Sequence, residues 1–97
     1  MDDELRAYIE RRVRVLDRLA AIIVDELGAA PRADCIDPNA PLFGTGLEID
    51  SVAGVELVLA SEAAFDVRFP EDARTAMRTL NGITDLVLAL QDERDAS

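Results

Sequence analysis

The chain has 97 residues, with twenty acids facing ten arginines and no lysine, for a formal net charge of −10. Only about 60–65% of the unfolded surface is buried at this length, which excludes two independent cores and leaves one domain, residues 1–97. The charge excludes nucleic-acid binding, which needs clustered cations, disfavours anionic membrane surfaces, and would steer a basic partner toward the protein.

Hydrophobic residues make up 49% of the chain and aromatics only 4%, so aliphatic side chains must fill the core. Helix formers dominate and no stretch alternates with period two for long, which predicts an all-α bundle. The first element is a long helix over residues 3–27. Leu5, Tyr8, Ile9, Val13, Leu16, Leu19, Ile23 and Leu27 recur at three- and four-residue steps and form one apolar stripe, expected to bury against the rest of the bundle. Acids crowd its first turn, and Gly28 follows its last periodic residue.

Residues 29–50 form a long loop broken by Pro31, Pro38, Pro41, Gly44 and Gly46. Leu42, Phe43, Leu47 and Ile49 are apolar and should pin it to the core; a loop of this length in a small domain is functional or anchored. A second helix is expected over residues 51–65, with Val52, Val55, Leu59 and Ala63 on the face read as core. Phe65, Val67 and Phe69 point alike in a short extended link. Pro70, Glu71 and Asp72 suit the opening of a brief third helix. Thr79 ends the next link, and Leu80, Ile83, Leu86, Val87 and Leu90 begin a fourth helical stripe. The polar tail over residues 91–97 is expected to fray.

Several chemistries are removed by composition. With no histidine, Ser-His and Cys-His catalysis are excluded, the commonest zinc ligand is absent, and no metal site is expected. Cys35 is the only cysteine, so no internal disulfide forms, and the neighbouring Asp34 and Asp37 disfavour a thiolate. No basic n-region or bilayer-length apolar run is read at any point, so the expected location is the cytoplasm. The charge is uneven as well. Residues 1–20 hold five acids (Asp2, Asp3, Glu4, Glu10, Asp17) and five arginines, so the whole excess of ten lies after Ala20.

The most informative residues are Asp50 and Ser51, where the glycine-containing loop gives way to the second helix. A serine there can cap the helix with its oxygen. It also sets a hydroxyl where the helix dipole and unpaired N–H groups would favour a phosphate ester. From Ser51 the chain reads SVAGVELVLASEAAFDVRFPED. This segment, with Val55-Glu56-Leu57, Phe65 and the Phe-x-Val-x-Phe-Pro link at matching spacing, resembles the phosphopantetheine-bearing acyl and peptidyl carrier proteins. The resemblance covers roughly residues 13–90.

It implies a four-helix carrier-protein bundle with a long first loop and no catalytic group of its own. It also implies 4′-phosphopantetheine, moved from coenzyme A onto Ser51 by a phosphopantetheinyl transferase, with an acyl or aminoacyl group held on its thiol as a thioester. Asp50 would support the attachment site, while Val52, Glu56, Leu59 and Glu62 would dock partners. Those partners would be loading ligases and downstream synthase or transferase enzymes with basic surfaces. The leading expectation is an acyl carrier for fatty-acid or polyketide-type assembly. An aminoacyl or peptidyl carrier would use the same arm, and an unmodified acidic interaction module would use Ser51 only as a cap. The chain departs from the family pattern in Glu48, where glycine is usual, in Ala53, where many members carry a docking acid, and in a first helix that begins about a dozen residues early.

Overall fold

The computed structural model describes residues 2–42 and 49–96, and these contain helices and no strand. The first helix, α1 (Asp3–Ala21), opens on Asp2, whose side chain accepts the Glu4 amide at 3.0 Å, with Asp3 and Glu4 against the positive end of the dipole. Where an unbroken helix was expected to continue, a π-helical turn occupies Ile22–Glu26, marked by the Leu27 amide donating five residues back to the Ile22 carbonyl at 3.0 Å. The turn carries two consecutive residues, Ile22 and Ile23, at zero exposure. Each fully buried isoleucine contributes about 1.5–3 kcal/mol. Gly28 ends the element at φ 63°, with the Ala29 amide closing onto the Ile23 carbonyl at 3.0 Å. A Cβ there would meet nothing within 4 Å, so glycine is required by the backbone conformation and not by space.

The long loop is tied down as expected. Ile36, Leu42 and Ile49 are buried, a 3-10 turn at Ala33–Cys35 leans on α1, and the Leu42 amide donates to the Arg78 carbonyl at 2.8 Å. The Asn81 amide donates to the Pro38 carbonyl at 3.0 Å, and its side chain bonds Asn39. Phe43, Gly44, Gly46, Leu47 and Glu48, also singled out from the sequence, lie outside the described residues.

The second α-helix, α2 (Ser51–Phe65), has the expected bounds. The predicted third helix is instead a 3-10 helix, Ala73–Arg78, and Pro70-Glu71-Asp72 form a turn ahead of it, closed by the Ala73 amide on the Pro70 carbonyl at 3.1 Å. A six-residue segment is too short to sustain an α-helix by itself, and the tighter winding is the usual outcome. The last helix, α3, spans Leu80–Ala96, with Thr79 Oγ1 accepting the Gly82 amide at 3.0 Å.

Residues 91–96, expected to fray, are helical because they carry contacts. Arg94 donates to the Phe65 and Asp66 carbonyls at 3.2 and 2.9 Å, satisfying the end of α2, while Arg11 reaches Gln91 at 3.1 Å and Asp92 at 2.9 Å. The middle of α1 therefore lies against α3, a contact continued by Arg12 on Asp85 and Asn81. The core gathers Val15, Leu19, Ile22, Ile23, Leu57, Leu80, Ile83 and Val87, with Met77 closing it from the 3-10 helix.

Two polar side chains, Ser61 and Thr84, are fully buried among the described residues. Thr84 Oγ1 donates back to the Leu80 carbonyl at 2.8 Å, whereas Ser61 Oγ has no partner among the described residues. An unmet buried hydroxyl costs about 1–3 kcal/mol. Ser61→Ala should therefore raise stability by about 1 kcal/mol in chemical denaturation. Arg94→Ala should selectively lower amide-exchange protection over residues 91–96 while leaving the first half of α3 protected.

Candidate functional site

Asp50 sets the geometry of the site. It sits just ahead of α2 with extended backbone angles (φ −93°, ψ −171°), and its Oδ1 accepts the Ala53 amide at 2.8 Å while its carbonyl accepts the Gly54 amide at 2.8 Å. The cap is therefore Asp50, not Ser51 as the sequence alone allowed, and Ser51 is the first residue of the helix. An aspartate at this position caps at least as well as serine. Two of the four leading amides are taken by Asp50; those of Ser51 and Val52 have no acceptor among the described residues. The first turn of α2 carries no acidic residue. An anion esterified to residue 51 would thus meet unpaired N–H groups and the positive end of the dipole, opposed by one neighbouring carboxylate. The donor set fits a phosphodiester.

α2 faces outward where inward burial was expected. Val52, Val55 and Leu59 are 67%, 59% and 61% exposed, and Ala63 is exposed with them. The buried line is Gly54, Leu57 and Ser61, flanked by the half-buried Val58 and Phe65. Because α2 is apolar on nearly every side, periodicity could not choose between faces. The choice is made by packing: α2 lies against the π-helical turn at Ile22–Glu26.

The consequence is an apolar strip running from the second residue of α2 for about 12 Å along its surface. Glu56 lies exposed next to it with no ion-pair partner among the described residues. Glu62 is placed differently. It is half-buried, and its Oε2 accepts the Phe69 amide at 2.7 Å while its carbonyl accepts the Val67 amide at 3.2 Å. Its carboxylate thus holds the link that follows α2, a role the sequence did not suggest. Asp66, in the left-handed region at φ 53°, completes that turn. Phe65 and Phe69 pack on the core, whereas Val67 opens into a depression of about 410 Å³ shared with Asp66, Arg68, Leu90, Glu93 and Arg94. That depression lies at the far end of α2, about 20 Å from Ser51 along the helix axis. Among the described residues no helix is long and apolar enough to cross a membrane, and no acid or cysteine cluster could hold a metal ion.

Comparison with known proteins agrees with this geometry. Residues 17–87 match the family described as "Phosphopantetheine attachment site". An acyl carrier protein of Cyanidioschyzon merolae is 35% identical over 75 residues, covering 77% of this chain and 79% of that protein. One from Thermobifida fusca is 32% identical over 81 residues, covering 84% and 96% respectively, and one from Thermosynechococcus vestitus is 30% identical over 73 residues, covering 75% and 86%. The match takes in the π-helical turn, the capped start of α2 and the first half of α3 but leaves out the first sixteen residues. The helical bundle, the capped serine at the head of α2 and this match together show that the chain belongs to the acyl carrier protein family, whose members carry covalent 4′-phosphopantetheine.

Proposed function

We infer that Ser51 is the attachment residue and that the protein carries acyl intermediates for fatty-acid or polyketide-type biosynthesis. The observation that carries this reading is the position of Ser51 as the first residue of α2, immediately after the capping Asp50 and within the matched family segment. When bound, the arm supplies a terminal thiol that holds the cargo as a thioester, and the partner enzymes perform the chemistry. The chain's own residues hold and present. Asp50 fixes where the helix begins, the Ser51 and Val52 amides face the esterified phosphate, and the strip of Val52, Val55 and Leu59 with Glu56 offers a partner an apolar contact edged by negative charge. Glu62, committed to Phe69, contributes to docking through the outer edge of its carboxylate.

The partners of this reading are a phosphopantetheinyl transferase and loading and elongating enzymes with basic docking surfaces, meeting the protein in the cytoplasm. The excess of ten negative charges beyond Ala20 supports their steering. An aminoacyl cargo would use the same serine and arm. The named relatives, all acyl carrier proteins, favour the acyl form.

Intact mass after incubation with coenzyme A, magnesium and a promiscuous transferase tests the assignment. One phosphopantetheine should be gained by the wild type and none by Ser51→Ala, which should lose well under 1 kcal/mol of stability because the cap is elsewhere. An unmodified wild type beside a working control carrier would support the interaction-module reading instead.

Asp50 separates into two roles by substitution. Asp50→Asn keeps a competent cap and should unfold within a few tenths of a kcal/mol of the wild type, while Asp50→Ala should cost about 1 kcal/mol. Both should slow arm transfer if the carboxylate acts in the transferase complex, and normal transfer to Asp50→Asn would remove that role. Leu59→Ala and Glu56→Arg should each raise the transferase KM several-fold with little change in thermal stability, and raising salt should weaken wild-type docking.

A further inference from the structure

The first half of α1 carries a second exposed apolar strip that the carrier reading does not use. Leu5, Tyr8, Ile9 and Val13 recur at helical spacing on one side of the helix, each 41–50% exposed, and all four precede the matched family segment. Arg11 and Arg12 bind Leu88, Gln91, Asp92, Asp85 and Asn81 of α3, and the helix runs on ahead of that anchor, so Leu5, Tyr8 and Ile9 extend beyond what α3 covers and Val13 stays exposed beside it. We propose that this face is a homodimer interface, with α1 of a second copy lying antiparallel across it.

Charge decides the occupant. The basic partners that suit an acidic carrier are drawn to the excess beyond Ala20, whereas residues 1–20 carry five acids and five arginines and attract neither sign. A second copy, itself at −10, can approach this balanced half with its own excess turned away. The strip is also self-complementary. A two-fold axis at Ile9 sets Leu5 against Val13 of the second copy and the two Ile9 side chains against each other, with Tyr8 beside them. The same axis brings Arg6 to within two residues, about 3 Å along the axis, of Glu10 on the second copy, and by symmetry forms that pair twice. Within one protomer neither Arg6 nor Glu10 has an ion-pair partner among the described residues, although Arg11, Arg12, Arg18, Arg32 and Arg94 all do. About three turns of helix make an interface at the low end of the specific range, below about 1,200 Å² in total. The dimer is therefore weak and concentration-dependent, with a dissociation constant in the micromolar range or above.

Sedimentation equilibrium of the full chain from micromolar to millimolar concentration, with reductant because Cys35 is exposed, tests the proposal. The weight-average mass should climb from 10.6 kDa toward twice that value, and further in added salt, which screens the repulsion between two acidic bodies. Ile9→Glu should remain monomeric with unchanged helical circular dichroism and unchanged arm attachment. Arg6→Glu and Glu10→Arg should each weaken association several-fold, and the double exchange should restore it. A wild type monomeric at millimolar concentration, or a dimer indifferent to Ile9→Glu, overturns the proposal. Strip-dependent capture of a partner enzyme by a wild type that stays monomeric overturns it too, and assigns the face to that enzyme.

Discussion

Ile22 and Ile23, carried on the π-helical turn at Ile22–Glu26, are both fully buried and form part of the apolar surface against which α2 packs. The rest of the bundle follows from that doubled apolar surface. α2 lies on it through Gly54, Leu57 and Ser61, and α3 completes the core from the other side through Leu80, Ile83 and Val87. Once the inward face of α2 is chosen, the outward one is determined by helix geometry, and Val52, Val55 and Leu59 are left in solvent. Exposing three large aliphatic side chains forgoes burial energy of about 1.5–3 kcal/mol apiece when fully realised, energy a docked partner can recover.

The capped start of α2 and its exposed strip work together because they share one helix. Asp50 fixes the first turn, Ser51 follows it, and the strip begins at the next residue, so a group esterified at Ser51, as proposed, would stand beside the exposed apolar strip. Arg94 and Glu62 secure the other end: one satisfies the last carbonyls of α2 and the other holds the Phe69 amide. Neither residue is near the proposed attachment position. Both keep the helix that carries it from unwinding.

Arg11 and Arg12, from the formally neutral first twenty residues, join α1 to α3 by pairing with Asp92 and Asp85, two of the acids that make up the later excess.

Much of this was legible in the residues. Asp50-Ser51 at a loop-to-helix junction, the order of the helices, the anchoring of the loop by Leu42 and Ile49, and the start of α3 at Leu80 are all local, set by caps, turn residues and periodicity. Other features were not, among them the π-helical turn, the 3-10 form of the third helix and the helical end of α3. Which of Asp50 and Ser51 caps α2 depends on backbone angles that both residues can adopt, and the aspartate takes the cap. Which face of α2 is buried could not be read from a helix apolar on nearly all sides; the π-helical turn decided it. The strip of Leu5, Tyr8, Ile9 and Val13 has the pattern of a core face, yet it extends beyond what α3 covers and stays exposed. Local signals specified the order of the helices and where α1, α2 and α3 begin, whereas only packing determined which apolar surfaces they hide, because a hydrophobic stripe records that burial is favourable and not what will cover it.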